Sequence, residues 1–261
     1  MRKRNQHVKR AGRILTVLLA AALLLCFAGC AKENKYVNVG VEMSTAGMSL
    51  YLTNTVNGFQ RISNYVFFSP SSAASLDKLR QEKQGIDITY LPAEDLGLIK
   101  AGDGLTVVFP DCFGEDGTLK GVWVARNSWL ENAPHYSYKF ILGLAMSADY
   151  RASHRNMSYA DALESVRGVR DIDWEKYPET MQYCAVYALS NKEELRDEAF
   201  AVRDAKTLLA MFEGFPSESG EGYDVCREAY ARVCGSDAEP FENLFDFGLA
   251  VRALEEAVRA E

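Results

Sequence analysis

Gly85-Ile86-Asp87-Ile88-Thr89-Tyr90-Leu91-Pro92-Ala93-Glu94-Asp95 reads as a buried strand that breaks into a helix. Ile86, Ile88, Tyr90 and Leu91 form a short apolar run of β-favouring residues, and Pro92 ends it because proline has no N–H for the next ladder position. Pro92 also suits a first helical turn, where Glu94 and Asp95 meet the positive end of the helix dipole. Helical patterns lie on both sides, Ala73 to Lys83 before and Ala93 to Lys100 after, so the passage is α-β-α. In open α/β sheets ligands sit beyond the carboxyl ends of such strands, which makes Leu91 to Glu94 a candidate rim.

Further strands can be read around this one. Tyr36 to Glu42 alternates as a strand and runs into the small residues Ser44-Thr45-Ala46-Gly47. A helical pattern from Met48 to Phe59 leads to a second strand, Tyr65 to Phe68. Ser69-Pro70-Ser71-Ser72 then supplies an N-cap for the next helix, with Ser71 or Ser72 in the capping position. Leu105 to Phe109 is a fourth strand and Gly121 to Arg126 a further one. This alternation argues a parallel sheet covered by helices. Asn127 to Ala133 leads into an amphipathic helix, Tyr136 to Tyr150, with Phe140, Ile141, Leu144 and Ala145 on one face. The rest is mostly helical: Ser158 to Val166, Glu179 to Leu189, a run capped by Asn191 and Glu194 to Phe212, Tyr223 to Val233 and Glu242 to Ala260.

The chain begins with Arg2, Lys3, Arg4, Lys9, Arg10 and Arg13 and no acidic residue, followed by Ile14 to Phe27, apolar apart from Thr16. This 14-residue apolar run is short of the ~20 residues a spanning helix needs and has the form of an export signal. Phe27-Ala28-Gly29-Cys30 resembles the lipobox of bacterial lipoproteins, with Phe27 where that motif usually has Leu. The resemblance implies cleavage before Cys30, lipid on Cys30, and Ala31 to Lys35 as a tether. Removing residues 1–29 takes six of the 29 basic residues and none of the 36 acidic ones, leaving 23 against 36 and a net charge of −13. That balance disfavours nucleic acid, and it leaves membrane attachment to the lipid.

Beyond Cys30 the cysteines are Cys112, Cys184, Cys226 and Cys234, and their spacing names no disulfide framework. Cys226 and Cys234 fall eight residues apart in one helical pattern, ~12 Å along its axis, too far to bridge. No zinc spacing, Gly-x-Ser-x-Gly, His-Glu-x-x-His, phosphate loop or dinucleotide fingerprint occurs, so neither enzyme chemistry nor a cofactor is expected. Glu94-Asp95 is an ordinary first-turn acidic pair before it is an acid/base pair. If the strands are parallel, the reversals Met43 to Gly47, Ser69 to Ala73, Leu91 to Glu94 and Pro110 to Cys112 gather at one sheet edge. Small and hydroxyl side chains beside free backbone N–H groups there could seat an anion or polar head group. Tyr90, Phe68, Phe109 and Trp123 are candidates for the pocket wall, although aromatic residues at strand spacing are first of all core.

The lipobox, the opening strand, Gly85 to Pro92, Leu98-Ile99-Lys100-Ala101-Gly102, Gly121 to Arg126 and Asn132-Ala133-Pro134 together resemble solute-binding lipoproteins of ABC importers, in the nitrate, sulfonate, taurine and thiamine-precursor branch. The resemblance spans roughly residues 36 to 150. It implies a type II periplasmic-binding-protein-like fold, with ligand contacts from the turns after the first three strands: Ser44, Thr45, Ser71, Ser72, Pro92 and Ala93. Glu94 joins them from the strand-end rim read above. The chain would then be a signal peptide (1–29), a tether (30–35), an α/β lobe (36–154) and a helical region (155–261). Its partners would be a small polar or anionic solute, a membrane permease, and the extracytoplasmic membrane face through Cys30. One departure stands out. About a dozen residues join the fourth strand to the Gly121 strand, where the family places a whole second lobe, so that lobe is either rebuilt from the helical tail or missing. A missing lobe favours a second reading, a lipoprotein acting as a protein-interaction or structural module.

Overall fold

The strand of the Gly85–Asp95 stretch runs Ile88–Pro92 (β3), and Ile86 and Asp87 are already buried ahead of it. Beyond it the chain turns into a 3₁₀ helix, Ala93–Leu98, where the sequence suggests an α-helix. The burial pattern accounts for the difference: Ala93, Leu96 and Ile99 are buried while Glu94, Gly97 and Leu98 are exposed. Three-residue spacing of apolar residues matches the 3₁₀ repeat and would spiral off one face of an α-helix.

The computed structural model describes residues 36–42, 53, 63–69, 71–82, 85–114, 116–153, 203–215 and 220–260. The other strands are β1 (Tyr36–Glu42), β2 (Ser63–Ser69), β4 (Leu105–Phe113) and β5 (Leu119–Arg126). They form one sheet in the order β2-β1-β3-β5-β4. β1 pairs parallel with β2 and β3, whereas β5 is antiparallel to β3 and β4. The expected parallel direction therefore holds for β1 to β4, and β5 makes the sheet mixed. The reason is the connection: β4 passes to β5 through residues 114–118, too few for the crossover a parallel neighbour requires. Asp116 Oδ1 accepts from Thr118 N at 3.0 Å and Thr118 Oγ1 at 2.7 Å, and Gly117 takes φ +81°.

Helices α1 (Ser72–Leu79), α2 (Asn127–Asn132), α3 (Pro134–Met146), α4 (Ala148–Ser153), α5 (Ala205–Phe212), α6 (Glu221–Cys234) and α7 (Gly248–Ala260) complete the described elements. Phe140, Ile141, Leu144 and Ala145 of α3 are buried as their spacing predicts. Trp123 stands edge-on to Tyr90 at 5.7 Å and to Phe140 at 5.5 Å, which fixes α3 against that face of the sheet. α7 packs on α3, α5 packs on α7, and α6 lies against the 3₁₀ helix and β5. Tyr138 and Glu256 join α3 to α7 by a 2.6 Å hydrogen bond, with Arg252 over the tyrosine ring at 4.9 Å. Burial, and then the Glu256 carboxylate, push the Tyr138 hydroxyl up to about 12.

The last helix begins at Gly248, six residues later than the sequence suggests, because the segment before it is held on the outer edge of β4. Val107 N donates to Leu244 O at 2.8 Å, Asp246 N donates to Val107 O at 3.0 Å, and Thr106 Oγ1 reaches Asn243 O at 3.1 Å. Pro110 is accommodated on β4 beside irregularities in its register with β5, as expected for proline on an edge strand. Cys226 and Cys234 are free thiols on α6, and burial raises the pKa of Cys226. Residues 1–35, the segments 158–166 and 179–189, and Cys184 lie outside the described residues.

At the amino edge of the sheet, Asp87 is bound by Asn38 N (2.9 Å), Asn38 Nδ2 (3.1 Å) and Arg126 Nη2 (2.7 Å). Arg126 Nη1 also donates to Gln81 O at 2.7 Å. Burial raises the Asp87 carboxyl above its ordinary range, against the opposing pull of Asn38 and Arg126. Removing one partner leaves the other charge buried. Arg126→Met should lower stability by about 3 kcal/mol in urea unfolding, while Asp87→Asn/Arg126→Met should lose clearly less than the two single changes added together.

Candidate functional site

The register of the sheet brings the carboxyl ends of its parallel strands to one edge. Glu42 ends β1 opposite Ser69, which ends β2. Gly40 stands opposite Thr89 on the other side, which carries Glu42 level with Leu91. Pro92 is paired with Gly121, and Gly121 with Cys112. With adjacent strands ~4.8 Å apart, the ends of β2 and β3 lie ~10 Å from each other across β1. Ser71, Ser72, Pro92, Ala93 and Glu94 thus occupy one edge. Ser44 and Thr45, which follow Glu42, lie outside the described residues.

Each of these residues has a distinct environment. Ser71 is the N-cap of α1, with φ −163° and ψ 161°, and its Oγ accepts from Ala74 N at 3.3 Å. A hydroxyl used as an acceptor keeps its proton for another group, so Ser71 can cap the helix and still donate outward. Ser72 is buried in the first turn. Ser69 is 1% exposed and its Oγ has no hydrogen-bond partner. Pro92 is half-buried, Ala93 is buried, and Glu94 is exposed with no hydrogen bond or ion pair among the described residues. The N–H groups at the start of α1 and the Ser71 hydroxyl offer donors to an anionic or carbonyl group.

The aromatic candidates divide differently. Tyr90, Phe109 and Trp123 are buried in the core, as the plainer expectation for aromatic residues in strands has it. Tyr90 packs with its ring end over Gly121, where a Cβ would overlap the phenol oxygen. Only glycine fits at that point. The Phe68 side chain lies outside the described residues. Two further ionisable residues lie at this end of the sheet: Asp111, within the expected Pro110 to Cys112 reversal but fully buried on β4, which runs on to Phe113, and Arg203, over the ring of Phe113. Neither belongs to a motif, and Arg203 has no local signal. Among the described residues no group of three His, Cys, Asp or Glu could hold a metal ion, and no helix is long and apolar enough to cross a membrane.

No protein-family model and no curated protein matches the chain. Solved structures do. A protein of Bordetella bronchiseptica RB50 superposes with a TM-score of 0.54 at 8% identity, over 86% of this chain and 98% of its own. The ligand-binding component of an ABC-type import system from Staphylococcus aureus, solved with zinc bound, gives 0.51 at 9% identity over 84% and 99%. The periplasmic nitrate-binding protein of Synechocystis PCC 6803 gives 0.42 at 8% identity over 53% and 67%. The fold is that of the periplasmic binding proteins. Within that binding-protein fold, the ends of β1, β2 and β3 form the edge described above.

Ser71 allows the capping role to be separated from any other. Ser71→Ala should cost about 1 kcal/mol in thermal or urea unfolding, whereas Ser71→Asp, which still accepts from the Ala74 N–H, should stay close to the unsubstituted protein. Equal losses for both would show that the hydroxyl does not act as the cap.

Proposed function

We propose that the protein is a lipid-anchored extracytoplasmic solute-binding protein that captures a small polar or anionic organic solute and hands it to an ABC importer. The observation that carries this reading is the convergence of the β2 and β3 ends, with Ser69, Ser71 and Ala93, on one edge of a sheet of binding-protein fold. The export signal, the Ala28-Gly29-Cys30 sequence and the names of the structural neighbours point the same way. Capture needs no bond to be made or broken: burial of the solute's apolar part and hydrogen bonds to its head group suffice.

A second reading rests on the β4–β5 hairpin. Only five residues, 114–118, join the two strands where the resemblance implies a second lobe, which favours a protein-interaction or structural role for the same fold.

Thermal unfolding of the full-length protein in mild detergent against sulfonates, nitrate, pyrimidines, amino acids and short peptides separates the two. A solute at about 100 times its Kd adds ~2.7 kcal/mol, a rise in Tm of roughly 5 to 10 °C for a chain of this size. A rise of that order confined to one compound class supports solute capture; a flat response across all classes favours the interaction module. Anchoring has its own test. The unsubstituted protein should incorporate labelled palmitate when expressed in a bacterium and Cys30→Ser should not; equal labelling of the two would remove Cys30 as the attachment point.

A further inference from the structure

Three described arginines are partly buried, and two of them are bound to carboxylates. Arg80 reaches Asp103 at 2.7 Å and Asp77 at 3.1 Å, and Arg126 reaches Asp87 at 2.7 Å. Arg203 is the exception. It makes no hydrogen bond or ion pair among the described residues, and its Nε is buried without a partner. Its Cζ lies 5.9 Å from the centre of the Phe113 ring, within cation–π range. No described carboxylate pairs with it, and those close by in the sequence or in the β4–β5 turn accept other hydrogen bonds. Asp204 caps α5, with Oδ1 accepting from Thr207 N at 2.7 Å and Oδ2 from Thr207 Oγ1 at 2.8 Å. Asp149 Oδ1 accepts from Ala205 N at 3.0 Å, and Asp116 is held by Thr118.

The place of this guanidinium matters as much as its lack of a partner. Phe113 pairs with Leu119 just beyond the Cys112–Gly121 pair, and Gly121 is level with Pro92. Arg203 therefore stands at the same edge of the sheet as Ser71 and Ala93, with the β4 end ~10 Å from that of β3. On its other side is the β4–β5 turn, where a Cβ on Gly117 would be 3.7 Å from Nη2. That is ordinary contact distance, so the turn lies against the fork, and the positive φ of Gly117 is what calls for glycine there.

We propose that Arg203 anchors the negatively charged group of the bound solute, an oxyanion of the carboxylate, sulfonate or phosphonate class held by the guanidinium between Phe113 and the Gly117 turn. The inference rests on the solute-binding reading and deepens it, since it names the charge of the solute and the residue that meets it. A partly desolvated guanidinium is expensive without a counter-charge, and its planar fork matches two oxygens of such a group. The Phe113 ring lies within cation–π range of the guanidinium. The rest of the solute would extend along the edge toward Pro92 and the donors at the start of α1.

Isothermal titration of the full-length protein in mild detergent, at fixed ionic strength, tests this. The probes are acetate, methanesulfonate, methylphosphonate and the longer-chain anions that raise Tm in the compound screen, with dimethyl sulfone as the neutral counterpart of methanesulfonate. The unsubstituted protein should bind at least one anion and not the sulfone. Arg203→Gln should weaken that anion by on the order of 10- to 100-fold, Arg203→Lys should fall between, and Arg259→Gln, at an exposed position of α7, should change nothing. Circular dichroism establishes that each variant is folded, and Arg203→Lys decides the matter if the glutamine variant is not. A folded Arg203 variant with unchanged anion affinity overturns the anchor and leaves solute binding standing. Binding of neutral solutes alone does the same. No binding of any compound overturns both.

Discussion

The tight turn between Phe113 and Leu119 constrains most of what surrounds it. Because residues 114–118 cannot carry a crossover, β5 must return antiparallel, and it does so between β3 and β4. That insertion sets Trp123 directly opposite Tyr90, and Trp123 in turn receives Phe140 from α3. It also places Gly121 beneath the Tyr90 ring. A side chain at 121 would push Tyr90 out of its contact with Trp123, so turn, strand and helix packing depend on one another. β4 is left as an edge strand with unpaired backbone groups, and the segment Leu244 to Asp246 covers it at Val107.

Legibility in the sequence followed the range of the forces involved. Strands β1 to β4 and the cap of α1 are local, set by alternation, apolar runs and a Ser that accepts from Ala74 N, and all were readable from residues close in the chain. The same holds for the buried face of α3. The position of β5 in the sheet was not readable, because its apolar Val122, Trp123 and Val124 would suit either direction. The 3₁₀ form of Ala93–Leu98 was implicit in the spacing of Ala93, Leu96 and Ile99, but a window that also contains Glu94 and Asp95 looks like an ordinary helix start. The late start of α7 depends on a contact with β4 more than a hundred residues earlier, for which no local signal exists.

The candidate site divides in the same way. Ser71, Pro92 and Ala93 could be placed at one edge from the sequence because turn residues follow strand ends; that edge is where ligands sit in open α/β sheets. Ser69 needed the structure, since a hydroxyl without a partner is a property of its burial. Arg203 needed it still more. Its sequence neighbourhood is helical and unremarked; what singles it out is the commitment of Asp204, Asp149 and Asp116 to other partners.

Net charge bears on whether such an edge can hold an anion at all. The full chain carries −7, and the chain from Cys30 onward −13, so the average field repels a negative solute. At physiological ionic strength the Debye length is about 8 Å, so exposed carboxylates farther away than that are largely screened. The field at the edge is then set locally, by the N–H groups opening α1, by Arg203 and by nearby carboxylates. Of the latter, Asp116 is exposed, and the side-chain and backbone donors of Thr118 hold it below the usual carboxylate range, so it stays charged. Asp111 is fully buried next to Cys112. An acidic protein with such an edge would accept an anion through short-range donors while its overall charge slows approach. It would therefore bind more readily as salt is raised toward the physiological range, the opposite of a protein that draws anions in by net positive charge.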